Sequence, residues 1–388
     1  MKILFITGLY APYIGGGAEI SNQLLVEGLI EKEIKIKVLT LGTDNFEEEI
    51  NGVRIERIRI NKLTDNYLTR IKRSNNNFMD KLQNKFYQIK TNIFNIKLKK
   101  QIKEILDKEN GNILHTSGVI LFFPAIWWKL AKKKEMKVVH TLRDPGLVYL
   151  KGIKSENFCI KIIEWVYKKI NILLIKNYVD CVHSPSQYMI DFHIENGFIF
   201  KKTMIIPNTI DISINRKKEK KEYDIVYVGV LSPKKGIRTL TNAINQSSEL
   251  LKSVYIGDGE LKEYCLNFGI EVTGWLEKEE VFEKIKKAKI LVLPSEWDEA
   301  FGRVLIEAIA CGTLVIGSDR GAISEVLNYD EKNIFQAGNE KELLKKIKRI
   351  LSLSEDEYIK ELENLQIFIE KYSYENHINK FCKFYETI

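Results

Sequence analysis

The sequence predicts an α/β protein of two doubly wound, parallel-sheet domains facing a central cleft. Three observations lead there. The chain has 388 residues, more than one ordinary hydrophobic core holds and suited to two domains of roughly 150–200 residues. Short apolar runs alternate with helical patterns, and the alternation restarts midway, the mark of parallel βαβ units. Between the two series lies Pro207-Asn208-Thr209-Ile210-Asp211, then the charged run from Arg216 to Glu222, a linker composition. Residues 1–208, 209–372 and a tail 373–388 are the expected units.

In the first domain, Ile3-Leu4-Phe5-Ile6 reads as a buried strand. A helix follows over Glu19 to Glu31, with Leu24, Leu25 and Leu29 on one face, then strands over Lys35 to Leu41 and Val53 to Ile60. Ile113-Leu114, Val138-Val139 and Cys181-Val182 are further short strands. The second series begins at Asp224 to Gly229 and continues with Ser253 to Ile256, Ile270 to Thr273, Ile290 to Leu293 and Leu314 to Gly317. The tail reads as an amphipathic helix (Ile378, Phe381, Phe384, Tyr385) packing back on the first domain. Open parallel sheets bind ligands at the carboxyl ends of their strands.

Composition narrows the function. The formal net charge of +8 suits an anionic ligand or an anionic membrane surface. Nucleic acid is not expected, because no zinc spacing, basic-region helix or RNA-binding aromatic pattern occurs. Cys159, Cys181, Cys265, Cys311 and Cys382 form no C-x-x-C pair, which argues for a reducing compartment and against a disulfide framework or structural zinc. The start MKILFIT reads as a strand rather than a signal peptide. The apolar run Gly118 to Trp128 is too short for the about 20 residues of a membrane span. A cytoplasmic location is expected, with peripheral attachment to the inner face of the cell membrane left open.

The most informative stretch runs from Pro294 to Val326. Glu299 sits in a loop beside Phe301-Gly302, and Glu307 stands eight residues on, inside the helix that this loop opens into. Such a junction collects backbone N–H groups where a phosphate binds. Carboxylates on either side of it grip hydroxyls on either side of a diphosphate, which describes a nucleotide-sugar. The plainer alternative is a solvated helix with two surface glutamates. Phe301-Gly302 speaks against it, since glycine at the helix mouth permits close approach of a ligand to the backbone.

Three other segments carry candidate chemistry. Gly229-Val230-Leu231-Ser232-Pro233-Lys234-Lys235-Gly236 follows the first strand of the second domain, where a lysine meets a phosphate as a point charge or merely caps a turn. Gly15-Gly16-Gly17-Ala18-Glu19 is no dinucleotide fingerprint, because Ile20 stands where the last glycine belongs. Val138 to Asp144 puts His140 at a strand end, followed by Arg143 and Asp144, an expected ion pair. A lone histidine is as often structural. Trp127-Trp128 and Trp165 are expected in the core, with an acceptor groove as the alternative. No D-x-D occurs to hold a divalent metal on a diphosphate. Helix N-termini and lysine do that work, so metal independence and no cofactor are expected.

The segment from Lys62 to Lys108 has twelve Lys/Arg against four Asp/Glu. Phe78, Leu82, Phe86, Ile89, Ile93 and Ile96 recur at three and four, so one face is apolar and the rest basic. Two readings of this region around 78–103 stay open: a helix on anionic lipid, or one packed on the first domain with solvated lysines.

Together these motifs resemble the retaining glycosyltransferases of family 4, which have the two-domain GT-B fold, and the resemblance covers nearly the whole chain. It implies a transferase moving a hexosyl-type residue from a nucleoside diphosphate sugar to a hydroxyl of a glycan or lipid-linked acceptor. The product would belong to a cell-surface polysaccharide or glycolipid. The resemblance gives Glu299 the donor sugar hydroxyls, Glu307 the ribose and Lys235 the leaving diphosphate. Backbone groups around Phe301 and Gly302 hold the diphosphate, and Gly229, Arg303 and Leu305 join them on the donor side. Val230 replaces the family's arginine, and Lys234 or Arg303 stands in for it. Gly321-Ala322-Ile323-Ser324-Glu325 resembles the family's G-G-x-P-E turn with two departures. Gly16 and Gly17 belong to the loop over the donor diphosphate, and Glu19, Arg143 and Asp144 to the acceptor side. His140 is implied to reach toward the donor sugar. The rivals are a sugar-nucleotide 2-epimerase, a glycan phosphorylase with lysine-bound pyridoxal phosphate, and a non-catalytic glycan- or membrane-binding protein.

Overall fold

The computed structural model describes residues 1–14, 16–59, 96–118, 125–149, 157–210 and 219–388. Gly15 and the basic segment up to residue 95 lie outside them. The chain divides into two compact units: Met1–Pro207 with His377–Ile388, and Asn208–Asn376.

Unit 1 is built on β1 (Lys2–Thr7), α1 (Gly17–Glu31), β2 (Lys35–Leu41), β3 (Phe46–Ile50), β4 (Val53–Ile58), α2 (Ile96–Glu109), β5 (Ile113–Ser117), α3 (Ala125–Lys132), β6 (Lys137–Thr141), α4 (Phe158–Tyr178), β7 (Cys181–Ser184), α5 (Gln187–Glu195) and β8 (Thr203–Ile205). Among the described residues its sheet runs β3-β4-β2-β1-β5-β6-β7-β8. All neighbours are parallel except β3 and β4. β1, β2 and β5 are buried almost throughout, as strands covered on both faces must be, and the polar side chains of β5, His115, Thr116 and Ser117, are hydrogen-bonded there. The antiparallel β3, FEEEI, escapes sequence reading because its glutamates mark an exposed edge. One consequence is buried: Lys37, on β2, pairs with Glu47, Glu56 and Glu109.

Unit 2 carries β9 (Tyr223–Val228), α6 (Ile237–Asn245), β10 (Ser253–Ile256), α7 (Lys262–Asn267), β11 (Glu271–Gly274), α8 (Lys278–Lys286), β12 (Ala288–Leu293), α9 (Arg303–Ala310), β13 (Leu314–Ser318), α10 (Ile323–Val326), β14 (Ile334–Phe335), α11 (Glu340–Leu351) and α12 (Glu355–Ile369). Its parallel sheet runs β11-β10-β9-β12-β13-β14. Successive residues of each strand feed opposite cores. Val226, Leu291 and Val315 pack with α9, while Ile225, Tyr227, Val292 and Ile316 pack with α6 and α11.

The helix Tyr374–Glu386 ends the chain. It buries Ile378, Phe381, Phe384 and Tyr385 in unit 1, where the His377 ring is bonded to the Pro207 carbonyl and the Tyr385 hydroxyl to His115. Among the described residues no helix is long and apolar enough to cross a membrane.

In each sheet the chain starts in the middle, winds to one edge, then returns to wind the other way. The reversal lies between β1 and β5 in unit 1 and between β9 and β12 in unit 2. Connections leave the sheet in opposite directions at such a point, so the loops at the carboxyl ends part and leave room for a ligand.

Candidate active site

At the switch point of unit 2, the loop after β9 and the loop after β12 are fastened to each other through their backbones. The Glu296 N–H donates to the Lys234 carbonyl at 3.0 Å, and the Thr239 hydroxyl to the Glu296 carboxylate at 2.6 Å. Gly236 has φ 69° and lies so close to the second loop that a Cβ would stand 1.7 Å from the Pro294 carbonyl oxygen. Glycine is therefore required there for both conformation and space. Gly229, expected on the donor side, makes the matching approach on the other flank: a Cβ on Gly257 would stand 1.9 Å from its carbonyl oxygen.

This fastening brings Lys235 to Glu299. The Lys235 ammonium lies 2.5 Å from Glu299 Oε1, and the Ser295 hydroxyl donates to the same oxygen at 2.8 Å. Both charged groups are only partly buried. The backbone of Glu299 is held from behind by the turn that resembles G-G-x-P-E. The Ala322 N–H donates to the Glu299 carbonyl at 2.8 Å, and a Cβ on Gly321, at φ 62°, would meet the Glu299 backbone at 2.3 Å. The departures at Ala322 and Ser324 leave this contact in place.

Gly302, with φ 82°, turns the chain into α9 with no side chain capping it. The first N–H groups of a helix have no carbonyl one turn back, and their dipole favours an anion at that end. Arg303 and Glu307 pair along α9 at 2.6 Å, one turn apart. In the adjoining loop the Ser232 hydroxyl is buried and has no partner among the described residues. Lys234 lies 5.0 Å over the Trp297 ring, and burial, then Lys235, push its ammonium below the usual range. Val230 is exposed and brings no charge. Arg303 is engaged with Glu307, so Lys234 is the cation placed next to Lys235.

Two residues expected on the donor side, Phe301 and Leu305, have buried side chains. The Phe301 side chain packs edge-on against Tyr372 in the core. Leu305 is fully buried and its N–H already donates to the Gly302 carbonyl at 3.0 Å. Leu305 thus shapes the floor of the helix mouth instead of facing a ligand.

At the switch point of unit 1, the hub is Asn22, on α1. Its Nδ2 donates to the Thr7 hydroxyl at 3.0 Å, while its Oδ1 accepts from the Ser117 hydroxyl at 2.9 Å and from Arg143 at 2.7 Å. Arg143 also donates to Ser117 at 3.1 Å. One amide thus ties together the carboxyl ends of β1, β5 and β6. Gly16 and Gly17 lead into α1, and the Glu19 carboxylate folds back toward Gly16. Burial raises the Glu19 pKa, opposed by its own backbone and by Arg143. Sequence reading gathers Gly16, Glu19 and Arg143 but misses Asn22 and Ser117. Polar residues of those types signal nothing until a fold puts them at strand ends.

Three expectations for this unit are corrected. Arg143 and Asp144 engage different partners: Asp144 accepts from the Gly146 N–H at 2.7 Å and caps the turn Pro145–Leu147. His140 is a core residue. It is 1 % exposed, its Nδ1 lies 2.9 Å from the Thr116 hydroxyl, and its ring packs edge-on against Trp128. Burial pushes its pKa down to about 3. It stands one residue before the end of β6, where the alternation of the strand turns it into the sheet–helix layer. Trp127 and Trp128 are buried as expected, but Trp165 is exposed. Among the described residues no cluster of three or more His, Cys, Asp or Glu side chains is disposed to hold a metal.

Comparison with known proteins gives this geometry a context. Residues 15–214 match Glycosyltransferase Family 4, and residues 209–368 match Glycosyl transferases group 1. An uncharacterized 42.6 kDa protein in the cps region of Klebsiella pneumoniae is 30% identical over 345 residues, covering 84% of this chain and 87% of that protein. The structure of sucrose-phosphate synthase from Thermosynechococcus elongatus superposes with a TM-score of 0.77 at 19% identity, covering 100% of this chain and 99% of that one. Anabaena HepE in complex with UDP-glucose gives 0.74 at 14% identity, with 100% of both chains covered. The chain therefore belongs to Glycosyltransferase Family 4 and is a glycosyltransferase of GT-B fold.

Proposed function

We propose that the enzyme transfers a hexosyl residue from a nucleoside diphosphate sugar to a hydroxyl of a glycan or lipid-linked acceptor, with retention at the anomeric carbon and without a metal. The observation that carries this reading is the Lys235–Glu299 pair beside the uncapped start of α9. An incoming diphosphate takes Lys235 and the helix N–H groups, as a fixed cation and dipole suited to a developing anion. Glu299, released from Lys235 but still oriented by Ser295, then accepts hydrogen bonds from sugar hydroxyls. Glu307 takes the ribose. The bond from the anomeric carbon to the diphosphate breaks, the acceptor oxygen bonds on the same face, and the acceptor proton passes to the leaving diphosphate. Unit 1 binds the acceptor through the loops around Asn22 and Arg143.

Several observations support this reading. A lysine ammonium and main-chain N–H donors stabilise a diphosphate without a metal ion. HepE, of like fold, has been solved with UDP-glucose, and the Klebsiella relative is described as lying in a cps region, in keeping with polysaccharide or glycolipid synthesis. The buried free thiols Cys181, Cys265 and Cys311 favour the cytoplasm.

The test has two parts. Calorimetry with UDP and GDP, then mass spectrometry of mixtures of nucleotide-sugars with lipid and oligosaccharide acceptors, identifies the donor. Glu299→Ala is expected to lower transfer by about a thousandfold while nucleotide binding and melting temperature hold. Full activity in that variant would overturn the role given to Glu299. Release of free sugar without an acceptor would favour an epimerase instead.

A further inference from the structure

Helix α4 is patterned inside out. Its inward side carries the polar Glu164, Tyr167 and Asn171 together with Ile175. Tyr167 donates to the Gly146 carbonyl at 3.0 Å and Asn171 to the Leu147 carbonyl at 2.9 Å. The outward side carries Ile162, Trp165, Val166, Ile170 and Leu173, each between 39 and 59 % exposed. Their spacing of three, four, eight and eleven from Ile162 puts them in one stripe. A helix packed on a soluble domain shows the reverse order, and isolated exposed apolar residues would not align.

The charge on the same side is of one sign. Lys161, Lys169 and Lys176 are exposed along the stripe, and the acidic residue of the described helix, Glu164, is buried. Lys169 reaches over the Trp165 ring at 6.0 Å. An indole flanked by lysines whose stems lie on apolar surface suits a boundary between hydrocarbon and anionic headgroups. Two copies of this helix meeting face to face would bring their lysine rows together with no carboxylate between them, which disfavours a dimer seam.

We infer that α4 lies flat on an anionic lipid surface, its Trp165 stripe in the headgroup–acyl boundary and its lysines on lipid phosphates. The helix is fixed to the turn that Asp144 caps, directly after Arg143. Lipid contact therefore holds the strand-end loops of unit 1 at the membrane, where a lipid-linked acceptor is found. The surface chemistry carries this inference without the transferase reading.

Co-sedimentation with vesicles tests it. Wild type should pellet with vesicles of phosphatidylglycerol and phosphatidylcholine at 3:7, a composition chosen as roughly that of a moderately anionic surface, and not with pure phosphatidylcholine. Lys161→Ala/Lys169→Ala/Lys176→Ala should bind about a hundredfold more weakly. Trp165→Ser/Leu173→Ser should bind at least about tenfold more weakly. These side chains are exposed, so both variants should keep the wild-type melting temperature. Glu299→Ala protein should pellet like wild type, which separates this inference from the catalytic one. Equal pelleting of wild type and both variants would overturn it, and so would equal binding to neutral vesicles. A dimeric wild type that ignores vesicles and becomes monomeric in the serine variant would assign the stripe to a second copy.

Discussion

At the switch point of unit 2 the loops are shaped by glycine, whereas at that of unit 1 they are held by side chains. Gly236, Gly257 and Gly321 let backbone press on backbone, and Lys235 and Glu299 are carried on the result. In unit 1, Asn22, Ser117 and Arg143 do the joining through an amide, a hydroxyl and a guanidinium. On the function proposed above, unit 2 holds the diphosphate, which is the same in every nucleotide-sugar, so a frame of main-chain groups would serve it, and unit 1 takes the acceptor. A side-chain network changes with single substitutions and suits a partner that differs from enzyme to enzyme.

The units differ in titration too, and there the largest effect is expected. All five histidines lie in unit 1, none in unit 2. Burial pushes His140 down to about 3 and His193 to about 4, and His115 and His183 well below their ordinary value. In the unfolded chain an imidazole takes a proton near pH 6.5. The unfolded state therefore binds more protons below that value, and stability, complete above it, falls as pH drops toward the folded pKa. Each buried histidine contributes about 1.4 kcal/mol per pH unit, so moving from pH 7 to 5 should cost unit 1 on the order of 5 kcal/mol or more. Scanning calorimetry should show the unit 1 transition falling while that of unit 2 holds. A common shift of both would break the comparison.

Gly236→Ala reverses the target. The forced Cβ contact and left-handed backbone should cost unit 2 about 3 kcal/mol, with the unit 1 transition unmoved. Gly269→Ala is the control, because it has a similar φ and nothing within 4 Å, and it should cost only about 1 kcal/mol. Equal losses in the two variants would show that the packing of Gly236 on Pro294 is not what matters.

The smallest effect sharpens the side-chain half. Arg143→Lys keeps the charge but loses the fork that bonds Asn22 and Ser117 together, and should raise the acceptor KM about tenfold. The donor KM should hold. A shift in the donor KM instead would remove Arg143 from the acceptor side.

Most strands were legible, since buried parallel strands are nearly continuous apolar runs. β3, β8 and β14 were not: the first is a charged edge, and the others are only three and two residues long. The segments carrying Lys235 and Glu299 stood out in the sequence because each joins a strand end to a glycine turn and a helix, and their place on the donor side is what the family resemblance implies. His140 misled because proximity to a strand end says nothing about which face a side chain takes. One register step decides between loop and core. Trp165 misled in the other direction, since its helix carries polar residues on the face that packs.

The sequence by itself determined the two α/β series of strands and helices and the turns that carry Lys235, Glu299 and Glu307, because periodicity and local spacing are properties of the chain. Tertiary structure decided the rest. It bound Lys235 to Glu299 across 64 residues, made Asn22 the hub of three strand ends, buried His140 and turned the apolar stripe of α4 outward. Each of these depends on which face of an element meets another, and that is set by packing between segments far apart in sequence.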